Sequence, residues 1–398
     1  MNTMPSMEMG KPSESQVTNP SAFPTKNAAR PLRILFCANW AVERLNKADC
    51  TRWNPSYTIP GQPYWFFKHA NEPVNIEVLD CRCFWGLDRI ERKLVRCYPS
   101  KGIAAWIRSR RYDLVLSHGG QMGLVIGLLQ ALAPHLSRTP HVMIDVGAIT
   151  GGYSGWKNQI ITAGCRLAVS SLAAIICHNS KQLNFYRDKY PEVAQNAHFI
   201  PLGVDTNEFR PEPCEQEDEI ICVGYAKRDW NMLVRAYAGL RTKTRLVLLG
   251  IPNGRMIKQN GVDCIPRVGI EEMRNRVRRA KFVALPLENI DYCVGQQTFL
   301  QSMAMGKAVL LPRIPAVCDY IRDGATGFLY DVSSEEDLRQ KLQMLLSSDD
   351  RVELVGRAAR AAVEAEFSET VMTDRIIGLL REVAQDGLKV SANPGRNA

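Results

Sequence analysis

The sequence predicts an α/β fold of two domains set against a central cleft, and three observations carry that reading. The chain has 398 residues, more than one hydrophobic core usually supports, and 45% of them are hydrophobic. Short apolar runs rich in β-branched residues alternate with helix-period segments, the pattern of parallel sheets built from strand-helix-strand units. The alternation pauses at an acidic, proline-containing stretch, PEPCEQEDE at 211–219, and then restarts, as at a domain linker. Two Rossmann-like halves follow from this.

Taken in order, residues 1–30 are rich in Ser, Pro, Asn and Met and lack a continuous apolar core, so a disordered tail is expected. The first half, 31–200, opens with the strand LRILFCA at 32–38. A long loop with Trp40 and Trp53 follows, and Pro60-Gly61-Gln62 opens a helix to about Ala70. Strands are predicted at 76–80, 114–117, 141–145, 174–178 and 198–200, with helices at 103–110, 122–132, 160–171 and 181–190 between them. The second half, 201–367, repeats the pattern: strands at 220–223, 245–249, 282–285, 309–312 and 327–330, helices at 230–240, 270–280 and 296–305. Two further helices, 334–346 and 351–367, come next, the first opened by a Ser333/Ser334 cap with Glu336 and Asp337 behind it. A C-terminal helix at 368–385 is placed to cross back to the first half, and 386–398 is expected to be a disordered tail.

The net charge of +9 is uneven, with 23 Lys and Arg against 13 Asp and Glu in residues 1–200 and 27 against 28 afterwards. A basic half suits nucleic acid, an anionic membrane or an acidic substrate, and charge alone does not choose. Residues 89–111 interleave Arg and Lys with Ile, Leu, Val, Tyr and Trp, which fits either contact with anionic lipid or an ordinary helix with a solvated basic face. No nucleic-acid-binding module is recognisable, so none is expected as a partner. The longest apolar stretches, 123–134 and 167–177, fall short of the roughly 18 to 20 residues that span a bilayer. Twelve cysteines without a CxxC pair point to reduced thiols. A cytoplasmic protein, peripheral at the inner membrane face if it meets a membrane, is the expected setting.

The stretch 291–312 reads as strand end, glycine loop, helix, glycine turn and buried strand. If the helix begins near Gln296, the free N–H groups of its first turn point at the carboxyl ends of the strands, an arrangement that binds phosphate. The plain alternative is that Gly295 only turns the chain and Gly306 only ends the helix. Lys227 and Arg228, on the loop that begins at Gly224 after the strand 220–223, are placed to neutralise a leaving diphosphate at the same cleft. Taken by itself, such a pair is more often solvated surface.

Several separated motifs then agree in order with one family. Pro201-Leu202-Gly203-Val204-Asp205 followed by Phe209 and Pro211, Met303-Ala304-Met305-Gly306-Lys307-Ala308-Val309, and Ile321-Arg322-Asp323-Gly324 with Gly327 resemble signatures of the retaining glycosyltransferases of family 4, which have the two-domain GT-B fold. The resemblance covers about residues 33–383. It implies that Lys227 and Arg228 grip the donor diphosphate with the backbone of Gly224 beside them. It also implies that Gly295, Gln296, Gln297 and Thr298 hold phosphate and sugar hydroxyls, and that Gln301 approaches the ribose. The family carries two glutamates eight positions apart, where this chain has Cys293 and Gln301; Asp291 and Glu288 are the available substitutes. In the first half His118 matches the position that borders the transferred sugar, although a lone histidine is more often structural, and Gly61 with Gln62 resembles the glycine turn of the first helix, Gly-Gln standing for the usual Gly-Gly. Asp145 and the glycine-rich 147–156 segment end a strand on the same edge, where they either shape an acceptor pocket with the loop bearing Trp40 and Trp53 or form just a flexible loop.

The resemblance implies a Leloir glycosyltransferase of hexosyl type that moves a sugar from a nucleotide-diphosphate sugar to a hydroxyl acceptor with retention, with His118, Lys227 and Arg228 as the catalytic candidates. The donor is a co-substrate; no further cofactor is expected. No metal is expected, because neither an Asp-x-Asp motif nor a His/Cys cluster is present. The acceptor is a glycan, a lipid-linked sugar or a small molecule. Two other readings remain open: a nucleotide-sugar epimerase of the same architecture, and a catalytically impaired nucleotide-sugar-binding protein.

Overall fold

Twelve parallel strands divide equally between two sheets in the computed structural model, which describes residues 30–40, 65–81, 87–95, 97–147, 156–252, 257–290 and 294–392. The tail up to residue 29, Trp53, Gly61, Gln62, the 148–155 loop, Asp291 and Cys293 lie outside the described residues. Both sheets belong to the unit formed by residues 31–398.

The first sheet has β1 (Leu32–Ala38), β2 (Val74–Leu79), β3 (Leu114–His118), β4 (His141–Asp145), β5 (Ala174–Cys177) and β6 (Ala197–Phe199), in the order β2-β1-β3-β4-β5-β6. β1 is almost wholly buried, as a strand covered on both faces must be, and it reads as a continuous apolar run for that reason. The helices of this half are α1 (Leu87–Val95), α2 (Pro99–Arg108), α3 (Gly120–Leu132), α4 (Trp156–Ser170) and α5 (Ser180–Lys189). Asn179 caps α5 by accepting from the Gln182 amide at 2.7 Å.

The second sheet has β7 (Glu219–Val223), β8 (Arg245–Leu249), β9 (Val262–Ile265), β10 (Phe282–Ala284), β11 (Val309–Pro312) and β12 (Phe328–Tyr330), in the order β12-β11-β10-β7-β8-β9. Its helices are α6 (Trp230–Ala238), α7 (Ile270–Arg279), α8 (Gln296–Ala304), α9 (Pro315–Cys318), α10 (Glu335–Leu346) and α11 (Asp349–Glu366). Asp229 caps α6, and Ser334 caps α10 by accepting from the Asp337 amide.

The last helix, α12 (Glu369–Ala392), leaves the second half and buries Met372, Ile376, Ile377 and Leu380 against Leu32, Ile34, Phe36 and Leu114 of the first sheet. Full burial of each such side chain contributes about 1.5 to 3 kcal/mol, so the helix is held by packing. It runs to Ala392, past the 385 limit read from the sequence.

Other differences are local. Of the helix expected from Pro60-Gly61-Gln62 to about Ala70, the described part, Trp65–His69, is a short 3-10 turn. The acidic 211–219 stretch is not the crossing between halves: it runs along α7, where Arg278 donates to the Arg210 carbonyl and Glu217 N–H to the Arg279 carbonyl. The crossing is at Val204, which pairs in parallel with Ser368, so the outgoing and returning chains lie side by side. Across this hinge the Tyr320 hydroxyl donates to the His178 carbonyl at 2.5 Å and accepts from Leu202 N–H at 2.9 Å. Asp319 accepts from Ser180 N–H at 2.7 Å. These bonds join the carboxyl end of β5 to the segment after β11, so the two sheets present their carboxyl edges to each other.

Candidate functional site

At that edge of the second sheet a cavity of about 350 Å³ opens between the loops after β7 and β8 and the start of α8. Gly295 holds α8 open at this end. Its φ of +72° is a left-handed conformation that a side chain disfavours, and it gives the helix no side-chain cap. The N–H groups of Gln296, Gln297 and Thr298 therefore begin the helix uncapped along the cavity wall, with the positive end of the helix dipole directed at its contents.

Arg228 lies across from them and is 6% exposed. Its guanidinium donates to the carbonyls of Val223, Ala226 and Lys227 and lies 3.4 Å from the Thr298 hydroxyl. It makes no ion pair among the described residues, and burial pulls its pKa below the ordinary arginine value. A buried cation held by carbonyl dipoles, with only the more distant pull of Glu288 to offset its burial, is costly, and an anion in the cavity would relieve that cost. Gly224 makes the arrangement possible: a Cβ there would sit 2.9 Å from two guanidinium nitrogens. Lys227 is different. It is half exposed, has φ of +57°, and its ammonium pairs with Glu288 at 3.4 Å in the open.

Tyr225 and Arg267 stand on the rim, the guanidinium carbon 4.8 Å from the ring centre, with Leu249, Val268 and Met273 making an apolar wall below. Neither Tyr225 nor Arg267 was singled out from the sequence. Both lie on irregular loops whose partners are about 40 residues apart, so no local pattern marks them.

Gln301 does not line this cavity. It faces a smaller one beside the crossing, shared with Lys68, Asp205, Gln297 and Glu369, and its side-chain oxygen is buried without a hydrogen-bond partner among the described residues. Gln297 lines both cavities. Lys68 is 2.5 Å from Asp205 and 3.3 Å from Glu369, and His69 lies 3.2 Å from Glu369. His69, Asp205 and Glu369 are close enough to share a metal ion, but the Lys68 ammonium already supplies the positive charge between the two carboxylates. Burial lowers the Lys68 pKa, but Glu369 and Asp205 outweigh it and raise the ammonium above its usual range.

In the first half, His118 ends β3 with its ring edge-on between Trp40 at 4.7 Å and Trp65 at 5.1 Å. Burial, aided by the neighbouring His178, pushes it down to about 3, so the ring is neutral at ordinary pH and can donate or accept one hydrogen bond but not supply a charge. Asp145 corrects the sequence reading. It is fully buried, accepting from the Tyr186 hydroxyl at 2.9 Å and from Gly147 N–H at 2.8 Å, so it fixes α5 and the turn after β4 and opens onto no cavity among the described residues.

This pair of facing parallel sheets, with the cavity in the second, is the architecture of the GT-B glycosyltransferases, and residues 217–348, which hold the cavity, match the family described as glycosyl transferases group 1. Sucrose-phosphate synthase from Thermosynechococcus elongatus is similar in structure, with a TM-score of 0.64 at 13% identity over 89% of this chain and 100% of that one. HepE from Anabaena in complex with UDP gives 0.63 at 14% identity over 88% and 100%. A glycosyltransferase from Rickettsia africae gives 0.63 at 14% identity over 89% and 99%. No curated protein matches the sequence.

Proposed function

We propose that the chain is a glycosyltransferase that binds a nucleotide-diphosphate sugar in the cavity of its second half and transfers the sugar to a hydroxyl acceptor presented by the first. The observation that carries this is the buried Arg228, without an ion-pair partner among the described residues, lining the same cavity as the uncapped start of α8. The diphosphate sits at those two features, and the Tyr225 and Arg267 rim with its apolar wall takes the base. In the transfer, the bond from the anomeric carbon to the phosphate oxygen breaks as the acceptor oxygen bonds to that carbon. The acceptor proton passes to the departing phosphate, on the same face, which gives retention. Arg228 and the α8 amides hold the charge that develops, with Lys227 joining when it leaves Glu288, and no metal is needed for that task. The neutral His118 is placed to hydrogen-bond a sugar hydroxyl.

Calorimetry with UDP, GDP, ADP and their sugar conjugates tests the reading, UDP first because HepE has been seen with UDP and UDP-glucose. One nucleotide should bind selectively, and Lys227→Ala/Arg228→Ala should weaken it by about tenfold or more. Sugar transfer to a hydroxyl acceptor should survive EDTA. Absence of any nucleotide binding would remove the assignment.

A further inference from the structure

The segment 89–111 has no part in the donor cavity, yet it holds eight Lys and Arg against one Glu. Helix α1 carries Leu87, Ile90 and Leu94 at the spacing of one helical face, the stripe that a globular protein normally turns inward. Here two of the three face out: Leu87 is 41% and Ile90 54% exposed, with Arg89 and Lys93 exposed beside them. Of the helix's two acids, Asp88 and Glu91, the latter is turned onto Ser100, accepting from the amide at 2.9 Å and the hydroxyl at 3.0 Å, which fastens α1 to the first turn of α2.

Helix α2 repeats the arrangement. It packs inward through Gly102 and Ala105, Gly102 lying against Val125 of α3, and leaves Ile103 and Ile107 facing out at 44% and 61% exposure. Arg110 and Arg111 are exposed just beyond its end. There the Ser109 hydroxyl meets that of Ser137 at 2.7 Å, which brings in the turn after α3 with exposed Leu132 and Leu136. The α1 and α2 segments and the turn that holds Leu136 are thus tied together by hydrogen bonds, and they carry six exposed aliphatic side chains and exposed arginines and lysines between them.

We propose that this surface docks the protein on an anionic lipid bilayer, the aliphatic side chains entering the interface while the arginines and lysines meet phosphate headgroups. Charge alone would equally suit a nucleic acid, but a phosphodiester backbone would leave the six aliphatic groups in water. A second copy of the chain is opposed by repulsion between two like-charged surfaces. An anionic bilayer is the partner that rewards both features together.

The proposal rests on this surface and not on the donor reading, so nucleotide binding is measured alongside it. The full chain is sedimented with vesicles of equimolar phosphatidylglycerol and phosphatidylcholine, and with vesicles of phosphatidylcholine alone. Binding is expected to the anionic vesicles only, weakening about tenfold in Ile90→Ser/Ile107→Ser and again about tenfold in Arg110→Glu/Arg111→Glu. Both variants should keep wild-type circular dichroism and unfolding midpoints, because all four positions are exposed. Failure to bind anionic vesicles overturns the proposal. So does full retention of binding in the serine variant, or binding to a DNA oligonucleotide that matches vesicle binding and ignores the serine changes, since either would reduce the surface to a general polyanion site.

Discussion

The Arg228 guanidinium lies 3.4 Å from the Thr298 hydroxyl and so joins two segments 70 residues apart in sequence. One supplies a buried cation and the other a row of helix-terminal N–H groups. Neither is a strong phosphate site alone, and their contact makes a single anion subsite from both.

Replacing Arg228 by lysine tests how that subsite works. A lysine keeps the charge but loses the fork that contacts three carbonyls and Thr298 at once. Affinity for the selected nucleoside diphosphate should fall about tenfold, with little change for the corresponding nucleoside, in calorimetry. An equal loss for the two ligands would place Arg228 at the base instead of the phosphates.

Gly224→Ala should act on the same residue indirectly. The new Cβ meets the guanidinium at 2.9 Å, and the φ of +137° is one that alanine resists. A stability loss of about 1 to 3 kcal/mol is expected in urea unfolding. Diphosphate affinity should drop with it, because Arg228 must swing away to make room. Unchanged affinity would show that Arg228 does not need this position.

These cases show what the sequence disclosed and what it withheld. The two sheets were legible because β1, β3, β8 and β11 are continuous apolar runs separated by helices of regular period. β9 was not, because Asp263 and Cys264 interrupt a four-residue strand whose residues are only half buried. The α8 terminus was visible as a glycine before a helix, whereas the reason for Gly224 was hidden, since nothing local says that Arg228 folds back over it. Asp145 looked free at a strand end until Tyr186, 41 positions later, took its carboxylate. Lys68 and Glu369 meet from opposite ends of the chain and carry no shared motif.

That meeting makes Lys68 the third test. Its ammonium holds Asp205 of the outgoing crossing and Glu369 of the returning one, and its side chain is 4% exposed. Lys68→Met would leave two facing carboxylates without their cation, which costs about 3 to 5 kcal/mol when a buried pair is broken. Urea unfolding should show that loss, and a Lys68→Met/Glu369→Gln double variant should recover part of it by removing one of the stranded charges. Additive losses in the double variant would mean that the three side chains do not act as a unit.

Two buried histidines, His141 and His178, and the half-buried His118 set the acid limit of the fold. His118 and His141 are each pushed by burial down to about 3, and burial also lowers His178, all from an ordinary value of 6.5. Below 6.5 the unfolded chain takes up protons that the folded chain refuses, so the unfolded state gains. The stability contribution is therefore complete above pH 6.5 and is lost progressively as the pH falls towards 3. Each such histidine contributes a slope of about 1.4 kcal/mol per pH unit within that window. The Asp205 carboxyl does not confuse the measurement, because its pKa lies below the ordinary 3.8: burial raises it, but Lys68 and two backbone N–H groups outweigh burial. Urea midpoints taken between pH 6.5 and 5 should fall steadily, and His141→Gln should remove one histidine's share of the slope while the Ser117 hydroxyl, 2.8 Å from the ring, keeps an amide partner. A flat profile across that interval would mean that these rings are protonated in the folded protein, and the neutral role given to His118 would fall with it.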